Sequence, residues 1–349
     1  MFSSYLPQDV TVLLKDITGA VTPLSTKERE ERIQKGTPYS EMLPIEYVPS
    51  KQYLDTFYTA LERYAPITAR AVASVAQRIW KDKKGEVTLV SLARAGTPIG
   101  ILIKRYLLNK YGVEVPHYTI SIIRGVGIDK NAMQYILNRH SAESVQFVDG
   151  WTGKGAIQNQ LTEAMRGYNG VSDGLAVLSD PAGISEKCGT YEDFLIASSC
   201  LNSTVSGLLS RTFYRNDIIS GQDFHGAVFY SELKNDDLTY CFIEKVQKHF
   251  TYNEDVFDEA PPKNVGIKEA ERIRDEFKLS SINLVKPSIG EATRVLLRRL
   301  PWKILVHSLT DNEHLGHLYR LAEEKGVEVV EYPLKNYKAC GLIKDLADT

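Results

Sequence analysis

The sequence predicts an α/β protein: a mainly parallel sheet covered by helices, preceded by a helical arm and followed by a small α/β/α unit. Three observations predict it. From Val87 onward, short apolar runs alternate with segments of helical periodicity. At residues 145–157 an apolar strand runs into a glycine-rich turn and then a helix, the arrangement that binds ligands at the carboxyl edge of parallel sheets. An acidic, proline-containing stretch at residues 253–263 separates a further helix–strand–helix–strand pattern. The expected division is an arm with helices at 1–80, an α/β domain at 81–252, a linker at 253–265 and a small domain at 266–349.

The first 50 residues are irregular, with Val10–Leu14 a short strand or helical turn and Pro38, Pro44 and Pro49 as punctuation. They read as an arm that contributes to a subunit interface or covers a site, and a homo-oligomer is expected. Tyr53, Phe57, Leu61, Ala65, Ala69 and Val72 recur at helical spacing on to Trp80, and Pro66 is expected to split the pattern into two helices. Strands follow at Val87–Leu92, His117–Ile123, Val145–Val148 and Leu175–Ser179, with helices at Thr97–Lys110, Asn131–Arg139 and Gly155–Met165. Beyond the linker come a helix at Ser288–Leu300, a strand at Lys303–Val306, a helix at Asn312–Lys325 and a strand at Val327–Tyr332.

Composition excludes several classes. A net charge of −2 over 349 residues gives no global field toward nucleic acid or membrane. The four cysteines, Cys188, Cys200, Cys241 and Cys340, form no C-x-x-C pair, which argues against a structural zinc site. The N-terminus lacks a basic and apolar leader pattern, and no apolar run is long enough to span a bilayer. A cytoplasmic protein with reduced thiols and no membrane partner is expected.

The richest motif is Asp149-Gly150-Trp151-Thr152-Gly153-Lys154-Gly155. Its glycines permit close backbone approach to a phosphate. The amides opening the following helix form an anion site, to which Thr152 and Lys154 add a hydroxyl and a positive charge. A carboxylate opposes phosphate, so Asp149 is expected to face ribose hydroxyls, directly or through a metal.

This segment resembles the phosphate loop of type I phosphoribosyltransferases, with Asp149 at the family's first acidic position and Gly150 in place of the second. Ala93-Arg94-Ala95-Gly96 resembles the family's pyrophosphate loop. The resemblance implies a phosphoribosyltransferase taking phosphoribosyl pyrophosphate and Mg²⁺, with Asp149, Arg94 and Arg124 as catalytic residues. It also implies Ala95, Gly96 and Lys130 on pyrophosphate, and Ser179 and Asp180 on an unknown small-molecule acceptor. Residues 287–332 are similar to the pelota-type RNA-binding domain, which implies RNA contact through Lys286, Gly290, Glu291, Arg294 and Arg298. The whole chain resembles a family that fuses these two domains and occurs in bacterial stress and tellurite-resistance gene clusters. Its members are also labelled stress-induced cysteine proteases. That label supplies an alternative, a cysteine hydrolase using Cys200 or Cys188 with His225. A further alternative is a non-catalytic sensor of the same donor that regulates RNA binding.

Overall fold

Five strands buried along nearly their whole length cannot face water, and they lie side by side with one short edge strand. In the computed structural model, which describes residues 2–253 and 265–345, these are Thr11–Val12 (β1), Thr88–Leu92 (β2), His117–Ile120 (β3), Val145–Val148 (β4), Leu175–Ser179 (β5) and Lys187–Thr190 (β6). Their order is β1-β3-β2-β4-β5-β6, and every neighbouring pair is parallel. Val90 sits beside both Tyr118 and Phe147, which sets the register of the central three strands. The protein is thus mixed α/β with a mainly parallel central sheet, as the alternating pattern implies.

Helices cover both faces, as a parallel sheet requires. Lys51–Asp82 (α2), Gly96–Tyr111 (α3) and Thr239–Gln247 (α6) pack on one face through Val72, Ile99, Leu102 and Phe242. Lys130–Leu137 (α4) and Ala156–Met165 (α5) pack on the other through Met133, Ile136 and Leu161.

Several elements differ from the sequence reading. α2 is one helix of 32 residues with Pro66 inside it. Pro66 and Glu62 are exposed, so water can satisfy the Glu62 carbonyl that proline leaves without a donor. The Ala-rich buried face then holds the helix together. The expected strand at His117–Ile123 breaks after Ile120, and Ile122–Ile123 pairs antiparallel with Gly127–Ile128. Thr26–Gln34 (α1) is a helix with a capping box between Ser25 and Glu28, a local signal in a stretch read only as charged. The linker expected at 253–265 lies, over residues 254–264, outside the described residues.

The C-terminal unit contains Val265–Glu276 (α7), Val285–Pro287 (β7), Ile289–Arg298 (α8), Pro301–Val306 (β8), Asn312–Glu324 (α9), Glu328–Glu331 (β9) and Ala339–Ile343 (β10). Its sheet order is β7-β10-β8-β9, with β10 antiparallel to β7 and β8, and β8 parallel to β9. The fully buried β10 escaped the sequence reading because it is a short apolar run without periodicity.

Candidate functional site

The strand order reverses at β2, so the loops leaving β2 and β4 diverge and open a crevice at the carboxyl edge. Both predicted loops lie there. A Cβ added to Gly96 would fall 2.5 Å from the Val148 carbonyl oxygen and 3.1 Å from the Asp149 Cα, so the two turns touch. Gly155 opens α5 with φ at +84°, where a side chain would also strike Ile184.

The C-terminal unit roofs this crevice. Lys154 Nζ donates to the Val285 carbonyl at 2.7 Å and also to that of Ile282. The Tyr337 hydroxyl donates to the Gly153 carbonyl at 2.6 Å. The Arg294 guanidinium sits 4.3 Å from the Trp151 ring centroid. What remains is a cleft of about 200 Å³ whose lining includes Asp149, Trp151, Lys154, Lys286, Glu291 and Arg294. Tyr337→Phe is expected to destabilise the fold by about 1 kcal/mol, the net value of one hydrogen bond. Faster amide exchange at the start of α5 should accompany it, and unchanged exchange would show that the clasp does not hold the loop.

Burial dominates the electrostatics. It pushes the Asp149 carboxyl up to about 6, against a hydrogen bond from the Gly150 N–H and the nearby Arg294. Burial, then the like charge of Lys286, pushes the Lys154 amine down to about 7. Asp193, which lies in a polar stretch, residues 190–194, that the sequence suggests for an acceptor pocket, instead accepts the Ile289 N–H at 3.0 Å and the Lys338 N–H at 2.9 Å. It therefore docks the start of α8 on the loop that follows β6, and burial pushes it up to about 6.

The expected site residues separate into groups. Arg94 does not face an open pyrophosphate site: it bonds Glu46 at 3.0 Å and the Leu209 carbonyl at 2.9 Å. Arg124 reaches the cleft but donates to Asn283 at 2.7 Å. Ala95 also lines the cleft, whereas Lys130 is an exposed residue at the start of α4. Asp180 is fully buried, taking the Thr152 hydroxyl and the Ile184 and Ser185 N–H groups. It braces the turn, and Ser179 points to the Glu192 carbonyl. The residues expected on RNA face inward: Lys286, Glu291 and Arg294 line the cleft, and Gly290 abuts Trp151. Asp149 was the expected Mg²⁺ contact. Among the described residues no cluster of three or more His, Cys, Asp or Glu side chains gathers to hold a metal.

The thiols also separate. Cys200 ends the short 3-10 turn Ala197–Cys200 and is buried beside Ser199. A Cβ on Gly290 would meet Trp151 at 3.5 Å and Ser199 at 3.7 Å, so α8 brings the cleft wall next to this turn. Burial pushes the Cys200 thiol up to about 12, while Ser199, Arg298 and Arg294 favour its thiolate. Cys188 lies in β6 against Tyr191. His225, the expected base, bonds Ser121 through Nδ1 at 2.8 Å, and its backbone N–H bonds Asp129 at 2.5 Å. The expected Cys–His pairing is therefore not what the fold builds around His225.

Fold and site together define an α/β protein whose glycine-loop cleft is closed by a second small unit carrying α8. Residues 3–247 match the family described as "Tellurite-like stress resistance cysteine protease StiP", and residues 264–345 match the "PELOTA RNA binding domain". A relative from Acinetobacter baylyi named "Cysteine protease StiP" is 33% identical, covering 98% of this chain and 94% of its own. The chain belongs to the StiP family. That membership overturns the expectation of phosphoribosyl transfer, with its donor and acceptor: the family and the relative are both named as cysteine proteases. Among the described residues no helix is long and apolar enough to cross a membrane.

Proposed function

We propose that this chain is a cysteine-dependent protease in which Cys200 is the nucleophile. The observation that carries the choice of thiol is its setting. Cys200 falls within the residues that match the protease family and sits next to the cleft wall; burial holds it as a thiol in the closed state, and Arg298 and Arg294 are the charges that would favour its thiolate once that burial is relieved. A reactive thiol needs such a cationic environment. Cys340 lies outside that match, and Cys241 is exposed on α6. Asp149, titrating near neutrality in the cleft, is the proposed proton acceptor. In the proposed open state, with α8 moved aside and the thiol no longer held up by burial, the thiol passes its proton to this carboxylate, the sulfur attacks a peptide carbonyl, and the amine leaves with the proton. Water then hydrolyses the thioester.

The state described is closed, because α8 lies between Trp151 and the Cys200 turn. Activity therefore requires α8 to shift, and a slow reaction of Cys200 with iodoacetamide is expected of the resting protein. The test is cleavage of an unfolded protein substrate. Cys200→Ser is expected to lower turnover by about a thousandfold or more, with Cys188→Ser and Cys241→Ser close to wild type. Full activity in Cys200→Ser would reject the assignment.

A further inference from the structure

Six arginines gather where the N-terminal arm, the sheet edge and α8 meet, and they outnumber their carboxylates. Arg94 pairs with Glu46 at 3.0 Å, Arg299 with Glu30 at 2.8 Å and Arg294 with Glu291 at 3.3 Å. Arg29, Arg211 and Arg298 have no ion pair among the described residues. Arg29 is only 8% exposed. Among the described residues, Nε of Arg29, Arg211 and Arg294 and one terminal nitrogen of Arg298 are buried without a hydrogen-bond partner. Arg211 has the Tyr39 ring at 5.2 Å as its neighbour.

These groups feel one another. Burial first, then Arg29, Arg94 and Arg299, depresses Arg211 to about 9, opposed by Tyr39. Burial, then Arg294 and Arg94, does the same to Arg298. Folding alone does not explain such a cluster, because a buried guanidinium without a partner is destabilising and like charges add to the cost. A stored imbalance of this kind marks a site that a ligand completes.

We propose that this arginine cluster binds a small, multiply charged oxyanion of the phosphate class, held by Arg29, Arg211 and Arg298. Guanidinium forks match phosphate oxygens in bidentate geometry. Three unpaired cations call for a compact ligand of several charges, such as diphosphate, whereas a single carboxylate would leave two of them unanswered. The depth of Arg29 favours a compact anion over a polymer laid across the surface. The site requires no thiol chemistry; Arg298, which also favours the Cys200 thiolate, is left unchanged in the Arg29→Met and Arg211→Met variants, so the binding readout is separate from the protease reading.

The test is calorimetric titration of the full chain with inorganic diphosphate in chloride buffer, with inorganic phosphate and a triglutamate peptide as comparisons. One equivalent of diphosphate should bind, more tightly than phosphate. Arg29→Met and Arg211→Met should each weaken it about tenfold or more. In anion-free buffer Arg211→Met should melt above wild type, having lost a charge without a partner, and saturating diphosphate should reverse that order. Absence of diphosphate binding at millimolar concentration would overturn the proposal. So would unchanged affinity in both variants, a lower melting temperature of Arg211→Met without anion, or binding of triglutamate in place of diphosphate.

Discussion

Glu46→Gln is expected to lower the stability of the folded chain by about 3 kcal/mol, the scale for removing one partner of a buried ion pair. Glu46 is 4% exposed at its side chain and bonds Arg94 at 3.0 Å. It also accepts the Ser203 N–H at 3.2 Å, and Arg298 is another charge that favours its ionised form. With Arg29, Arg211 and Arg298 nearby and without ion pairs among the described residues, loss of this one carboxylate leaves Arg94 in a field of its own sign. Urea denaturation would measure the change. Asp217→Asn provides the contrast: its pair with Arg215 is open to solvent, so little or no change in the urea midpoint is expected. Equal effects from the two substitutions would show that Glu46 does not neutralise the cluster.

Asp149→Asn is expected to stabilise the protein above neutral pH while abolishing proteolysis. Burial raises the Asp149 carboxyl from 3.8 to about 6 in the folded state, so between those values the folded chain holds a proton that the unfolded chain has released. Stability from this group is therefore fully present below about pH 4 and is lost as pH rises through about 6. A shift of roughly two units corresponds to about 2–3 kcal/mol. The asparagine variant removes that penalty: it should exceed wild type by about this amount at pH 8 and match it near pH 3.5. Asp193 titrates in the same direction but is present in both proteins, so the difference between their curves isolates Asp149. A pH-independent difference would show that Asp149 is not held at a raised pKa, and retained activity would remove it from the proposed mechanism. A gain in stability with loss of activity is the usual signature of a group kept in an unfavourable setting for its chemistry.

Much of the larger unit was legible in the sequence. The runs at Val145–Val148 and Leu175–Ser179 coincide with strands, because a short apolar stretch bounded by turn residues is a local signal. The adjacency of the Gly96 and Gly155 turns followed from two strand–turn–helix segments in one parallel sheet. The resemblance to phosphoribosyltransferases attached a reaction to those loops, and the family to which the chain belongs is named for another. Loop shape transfers between proteins more readily than the chemistry built on it.

The sequence by itself determined the alternation of strands and helices, the glycine-rich turn after Val148 and the acidic stretch before the second unit. These are set by neighbours within a few residues, through periodicity, turn chemistry and composition. Only the tertiary structure decided that β7 and α8 turn Lys286, Glu291 and Arg294 inward over Trp151, that Asp193 fastens α8, and that Arg29, Arg94, Arg211 and Arg298 come near one another. The physical reason is separation along the chain. The charges in this cluster come from residues as far apart as Arg29 and Arg299, and no local pattern records that folding will press them together and remove their water.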